Sequence, residues 1–157
     1  MLTPFMLLPC LVMGQTVMNP GGWEFALESV ITDKQGVQRK GGATNLVCVT
    51  KPMLVQNFYL DPRYEKVTFE AQGGQCDVSE HKRNGDSASF KVSCAMPRNI
   101  KISASYKKEA SATNFKSEVN QVMVNDPRGV EMDNRMTGTF IGPCTDTMIK
   151  PEVRKAR

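Results

Sequence analysis

His81 is the only histidine in 157 residues, so any acid, base or metal site that needs imidazole must be built on it. It stands beside Lys82 and Arg83 in a polar stretch, and no serine or cysteine lies at a telling distance in sequence. An activated nucleophile needs such an oriented base. The carboxylates Asp126, Glu131 and Asp133 fall at a turn and along an outward face, which is the pattern of a solvated surface rather than an acid–base pair. Gly41-Gly42 and Gly73-Gly74 match no phosphate-binding loop. Lys82-Arg83 and Lys107-Lys108 make a small basic rim at one end of the expected sheet, without the stacking aromatics of a nucleic-acid platform. No cofactor is implied, and the residues favour a non-enzymatic protein.

The cysteines carry more information. They are Cys10, Cys48, Cys76, Cys94 and Cys144, with no Cys-x-x-Cys pair and one histidine among them, which excludes the usual zinc sites. Residues 1 to 14, MLTPFMLLPCLVMG, have no charged side chain and read as the apolar region of a secretory leader, with Val12 and Gly14 small enough for cleavage before Gln15. The usual basic start of such a leader is missing. Leu7-Leu8-Pro9-Cys10 has the outline of a lipoprotein box, but the proline and the short preceding run argue against lipidation. Removing the leader takes Cys10 with it and leaves four cysteines, an even number that suggests two disulfides in an exported domain. Three connectivities are open. Cys48 with Cys76 and Cys94 with Cys144 is slightly preferred, because the first bond would close a helical insertion and the second would tie down the last strand.

These residues must be positioned by a single domain, residues 15–145, followed by a basic polar tail at 146–157. The formal charge is +4, and the last eight residues, KPEVRKAR, contribute four basic groups and one acidic one. The body is near neutral, so composition does not argue for a nucleic-acid partner. No transmembrane span is expected once the leader is removed.

The stretch from Cys76 to Cys94 organises the fold. Side chains alternate along a strand, so Cys76 and Val78 share one face, as do Phe90, Val92 and Cys94. Both sets line one core only if paired residue numbers sum to an even number. That sum sets Val78 opposite Val92 and Cys76 opposite Cys94, and predicts a three-residue loop, Asn84-Gly85-Asp86.

Before it, Trp23, Phe25, Leu27 and Ile31 share a face of a first strand, and a second strand is expected at Thr44 to Val49 with Leu46 and Cys48 inward. Gln35 to Gly42 reads as a loop. Thr50 and Pro52 open a short helix carrying Met53, Leu54, Phe58 and Tyr59, which Asp61-Pro62 is expected to end. Arg63 to Glu70 is ambiguous. After the hairpin, Ile100, Ile102, Ala104 and Tyr106 alternate with polar residues; then Phe115, Val119 and Met123, and finally Met132, Met136 and Phe140, mark further strands. The fold class is mainly β: an antiparallel meander of six or seven strands curled into a barrel or half-barrel, with one short helix after the second strand. In a flat meander Cys94 and Cys144 would lie at opposite ends.

Pro20-Gly21-Gly22-Trp23-Glu24, Cys48-Val49-Thr50 leading into Met53, the Cys76 to Cys94 hairpin and Gly138-Thr139-Phe140-Ile141-Gly142-Pro143-Cys144 occur in an order that resembles the domain of unknown function 3617 family, over about residues 19–145. The resemblance implies a periplasmic or secreted protein of Gram-negative bacteria without an established activity, and it transfers no functional residues. The chain departs from it in an extra glycine before Trp23 and in the basic tail. The function that fits is a protein whose curved sheet binds an apolar or amphipathic ligand or an envelope protein, with Trp23, Phe25, Ile102, Tyr106, Phe115 and Phe140 facing the ligand or the core. The alternatives are a hydrolase-like enzyme with a site assembled from distant residues, and a structural or interaction module of the cell envelope.

Overall fold

A computed structural model describes residues 17–55 and 59–151. The expected leader with Cys10, Phe58 of the expected helix and the tail beyond residue 151 lie outside the described residues. Seven strands form one antiparallel sheet: β1 (Gly21–Thr32), β2 (Gln38–Val49), β3 (Gln75–Asn84), β4 (Ser87–Met96), β5 (Ile100–Ala110), β6 (Asn114–Met123) and β7 (Glu131–Gly142). Two helices, α1 (Lys51–Val55) and α2 (Pro62–Glu70), lie between β2 and β3.

The strand order is β2-β1-β7-β6-β5-β4-β3, all neighbours antiparallel. This is the order of an up-and-down barrel opened between β2 and β3. Those two edges run in the same direction, so the chain must travel back along the sheet between them, and a helical crossover does this. The fold is therefore an open half-barrel whose helical connection packs against its inner face.

Register explains the two faces. Trp23 pairs with Val47 and Phe140, Phe25 with Asn45 and Gly138, and Leu27 with Ala43 and Met136, so these residues share the inner face. The same face continues through Phe115, Ser117 and Val119 of β6, Tyr106 and Lys108 of β5, and Phe90 and Val92 of β4. The outer face is wet and charged. Glu28, Arg135, Glu118 and Lys107 follow one another across four strands in register, and such opposite-charge neighbours add stability of about 0.2–1 kcal/mol per pair.

Several local expectations are corrected. β2 starts at Gln38, so the stretch read as a loop shrinks to the Asp33–Val37 turn, where Asp33 Oδ1 accepts from the backbone N–H of Gln35 and Val37, each at 3.0 Å. Because Val47 shares the face of Trp23, Leu46 and Cys48 point the other way, and Leu46 is exposed. Asp61-Pro62 does not end a helix but begins one: the Asp61 side chain caps Arg63 N–H at 2.9 Å and Pro62 takes the first turn, so the ambiguous Arg63–Glu70 stretch is α2. Burial pushes the Asp61 carboxyl up, but the hydrogen bonds from the Arg63 side chain and backbone and the charges of Arg63 and His81 outweigh it and hold it below its ordinary value.

The hairpin keeps Cys76 opposite Cys94 and Val78 opposite Val92, yet its tip differs from the expected three-residue loop. Asn84 pairs with Ser87, which leaves two loop residues, Gly85 and Asp86, with Gly85 at φ 54° in the first central position as a type II′ turn requires. Parity is restored by a bulge: Glu80 and His81 together oppose Phe90, and Glu80 takes φ 53°.

The preferred cysteine pairing is also wrong. The bonds join Cys48 to Cys144 and Cys76 to Cys94, with Cα separations of 5.2 and 4.2 Å. The reason is topological. Gly22 of β1 pairs with Cys48 on one side and with Gly142 on the other, so the end of β7 arrives beside β2 through β1. Cys144, two residues beyond β7, then reaches Cys48. Order continues past it, with Met148 buried and Ile149 exchanging backbone hydrogen bonds with Leu46 and Cys48 on the edge of β2.

Candidate functional site

A groove of about 470 Å³ lies between the inner face of the sheet and the helices, within the size range of small-molecule sites. Each wall follows from strand parity. β1 contributes Phe25 and Leu27, β2 contributes Asn45 and Val47, and β7 contributes Asn134 and Met136. β6 supplies Phe115, Ser117, Val119 and Gln121, β5 supplies Tyr106 and Lys108, and α2 places Glu65 and Tyr64 over them. Gly138 keeps this wall thin: a β-carbon there would lie 2.5 Å from the Phe25 ring, so only glycine lets that ring lie flat on β7.

The groove has a dry end and a wet end. Tyr106, Lys108, Phe115 and Ser117 are buried, whereas Gln121 and Asn134 are half-buried and Asn45 is exposed. At the wet end Ser29 and Asn134 are joined by a side-chain hydrogen bond of 2.5 Å. Ser117 and Gln121 stand beside Phe115, Val119 and Met136 and add polar atoms to that apolar wall.

The dry end contains the one buried charge of the sheet. Lys108 is 5% exposed and forms an ion pair with Glu65 in the first turn of α2. Its ammonium lies 5.4 Å from the Tyr106 ring centroid and 5.6 Å from that of Phe90, and those two rings stack at 4.8 Å. Burial, and after it the charge of Glu65, pushes the Tyr106 phenol well above its ordinary value, so it stays protonated as a donor.

Lys108 is not in the basic rim expected at the surface: the alternation that puts Ile102, Ala104 and Tyr106 inward carries it to the inner face as well. Of the six residues expected to face ligand or core, Phe25, Tyr106 and Phe115 line the groove. Trp23 and Ile102 are buried in the core and Phe140 packs against it. His81 is exposed, its ring edge-on to Phe90 at 6.2 Å, and among the described residues no hydrogen bond joins it to a serine or a carboxylate. Asp126 is tied to Arg128, while Asn120 holds Glu131 at 2.6 Å and Asp133 at 2.9 Å on the outer face. No group of three or more His, Cys, Asp or Glu among the described residues is placed to hold a metal ion.

The architecture defines a small, twice-bridged β half-barrel with an internal groove under a helical cover. Within that class the chain belongs to the family described as "Protein of unknown function (DUF3617)", whose profile matches residues 18–144. No curated protein matches the chain, and no solved structure does.

Proposed function

We propose that this is an exported, non-enzymatic protein that holds an apolar or amphipathic ligand in the groove between the sheet and α2. The observation that carries this reading is the lining: Phe25, Leu27, Val47, Phe115, Val119 and Met136 offer apolar surface, with Ser117 and Gln121 set among them as hydrogen-bonding points. N-phenyl-1-naphthylamine, a fluorophore that brightens in apolar sites, is expected to bind saturably at one site per chain. Val119→Trp, which projects an indole into the groove, is expected to weaken that binding at least tenfold while the circular dichroism spectrum stays unchanged. Failure of the wild type to saturate would sink the reading.

Export is supported by the apolar leader and by the two cysteine bridges, which suit an oxidising compartment. Among the described residues no helix is long and apolar enough to cross a membrane. Expressed from its own start in a Gram-negative host, the protein is expected in the periplasmic fraction with Gln15 at its N-terminus. A digest made without reduction is expected to yield Cys48 linked to Cys144 and Cys76 linked to Cys94. Retention in the cytoplasm with four alkylatable thiols would overturn export.

A further inference from the structure

The Lys108–Glu65 pair sits where a ligand's head would lie, and its two members are not equally free to move. Lys108 stands two residues before the end of β5, with 5% of its side chain exposed, beside the Phe90 and Tyr106 rings. Its strand is paired on both sides, by β4 and by β6. Glu65 is on α2, 20% exposed, at the rim of the groove. The helix rests on the sheet through buried Pro62 and partly buried Phe69, with Glu65 half-buried over the groove.

We infer that the groove selects an anionic single-chain amphiphile, whose carboxylate replaces Glu65 as the partner of Lys108. This rests on the groove being a ligand site. Exchange in this direction leaves the buried cation paired throughout, while the displaced carboxylate reaches solvent, so the large penalty for an unpaired buried charge is never incurred. A cationic head would meet the Lys108 ammonium and be repelled by it. A neutral head leaves the ion pair in place and gains nothing from it. The acyl chain would run from Lys108 past Met136 and Val119 towards the wet end, where Gln121 and Asn134 stand.

The test compares dodecanoate, dodecanol and dodecyltrimethylammonium by displacement of N-phenyl-1-naphthylamine, below their micelle concentrations. Dodecanoate is expected to bind at least tenfold more tightly than either analogue. E65Q frees Lys108 and is expected to widen the preference for dodecanoate over dodecanol several-fold. The double variant K108M/E65Q removes both charges together, so that neither is left unpaired and the fold is kept. It is expected to lose the preference for dodecanoate over dodecanol. Equal binding of the three amphiphiles, unchanged in the double variant, overturns anion selection and leaves the groove reading standing; displacement of the fluorophore by none of them overturns both.

Discussion

Trp23→Ala is expected to lower unfolding stability by about 3–5 kcal/mol, read by circular dichroism in urea. Trp23 has no exposed surface, and its indole N–H donates to the Asn19 carbonyl at 3.0 Å. Its ring stacks on Phe25 at 5.9 Å and meets Phe140 edge-on at 5.8 Å. Both neighbours are fixed by strand register, so neither can move in to fill the space left by alanine. Asn19 is itself bonded through its N–H to Ala112, so the same indole helps seat the entering chain on the β5–β6 turn. As the only tryptophan, it also reports on itself. Native emission is expected to be blue-shifted, poorly quenched by acrylamide, and moved to the red on unfolding. A loss below about 1 kcal/mol, or water-like native emission, would contradict the packing.

Replacing Cys48 and Cys144 together by serine is expected to cost more than replacing Cys76 and Cys94. The first bond joins residues 96 apart and the second residues 18 apart. On the loop-entropy estimate these correspond to about 4.7 and about 3 kcal/mol. The longer bond also fastens the end of β7 beside β2 through β1, whereas the Cys76–Cys94 pair is already held by strand pairing on both sides of it. Urea midpoints of the two double variants decide the order. Equal losses, or a larger loss for the hairpin bond, would show that the closing contact is not what the long bridge secures.

Much of the fold can be read along the chain because most of its information is local. Alternation in β5 and in the Phe90-Val92-Cys94 run identifies the inner face, with Ile100 at the start of β5 exposed rather than inward, and the pairing of Val78 with Val92 follows from parity alone. What escaped has identifiable causes. The bulge at Glu80 and His81 shifts parity once, and an even sum at Cys76 cannot reveal that the sum is odd at the tip. Asp61-Pro62 carries the same residues whether a helix stops or starts there; the structure uses the aspartate as a cap and the proline in the first turn. Gln38 to Gly42 has poor strand propensity and is extended because β1 pairs with it along its whole length. The β1–β7 pairing, and with it the Cys48–Cys144 bond, joins segments about a hundred residues apart and leaves no local trace, whereas the Cys76–Cys94 bond falls in the register that parity gives the hairpin. The groove was half visible: its apolar wall came from the strand pattern, but its charged end needed the same pattern carried one step further, to Lys108.

The pairing of the first strand with the last also determines when the sheet can be completed. β1 and β2 can form a hairpin as soon as they are made, and β3 to β6 can add to one another in turn, since each contact closes a short loop. These two pieces have no strand in common until Glu131–Gly142 has appeared. A chain that stops before Glu131 therefore presents β1 and β6 with unpaired backbone and an apolar face, the combination that drives strand-to-strand aggregation. Closure over such a sequence distance is expected to be slow. In a stalled or shortened chain, loss of soluble product is thus expected to set in at the seventh strand, before any residue of the groove's dry end on β5 or β6 is missing.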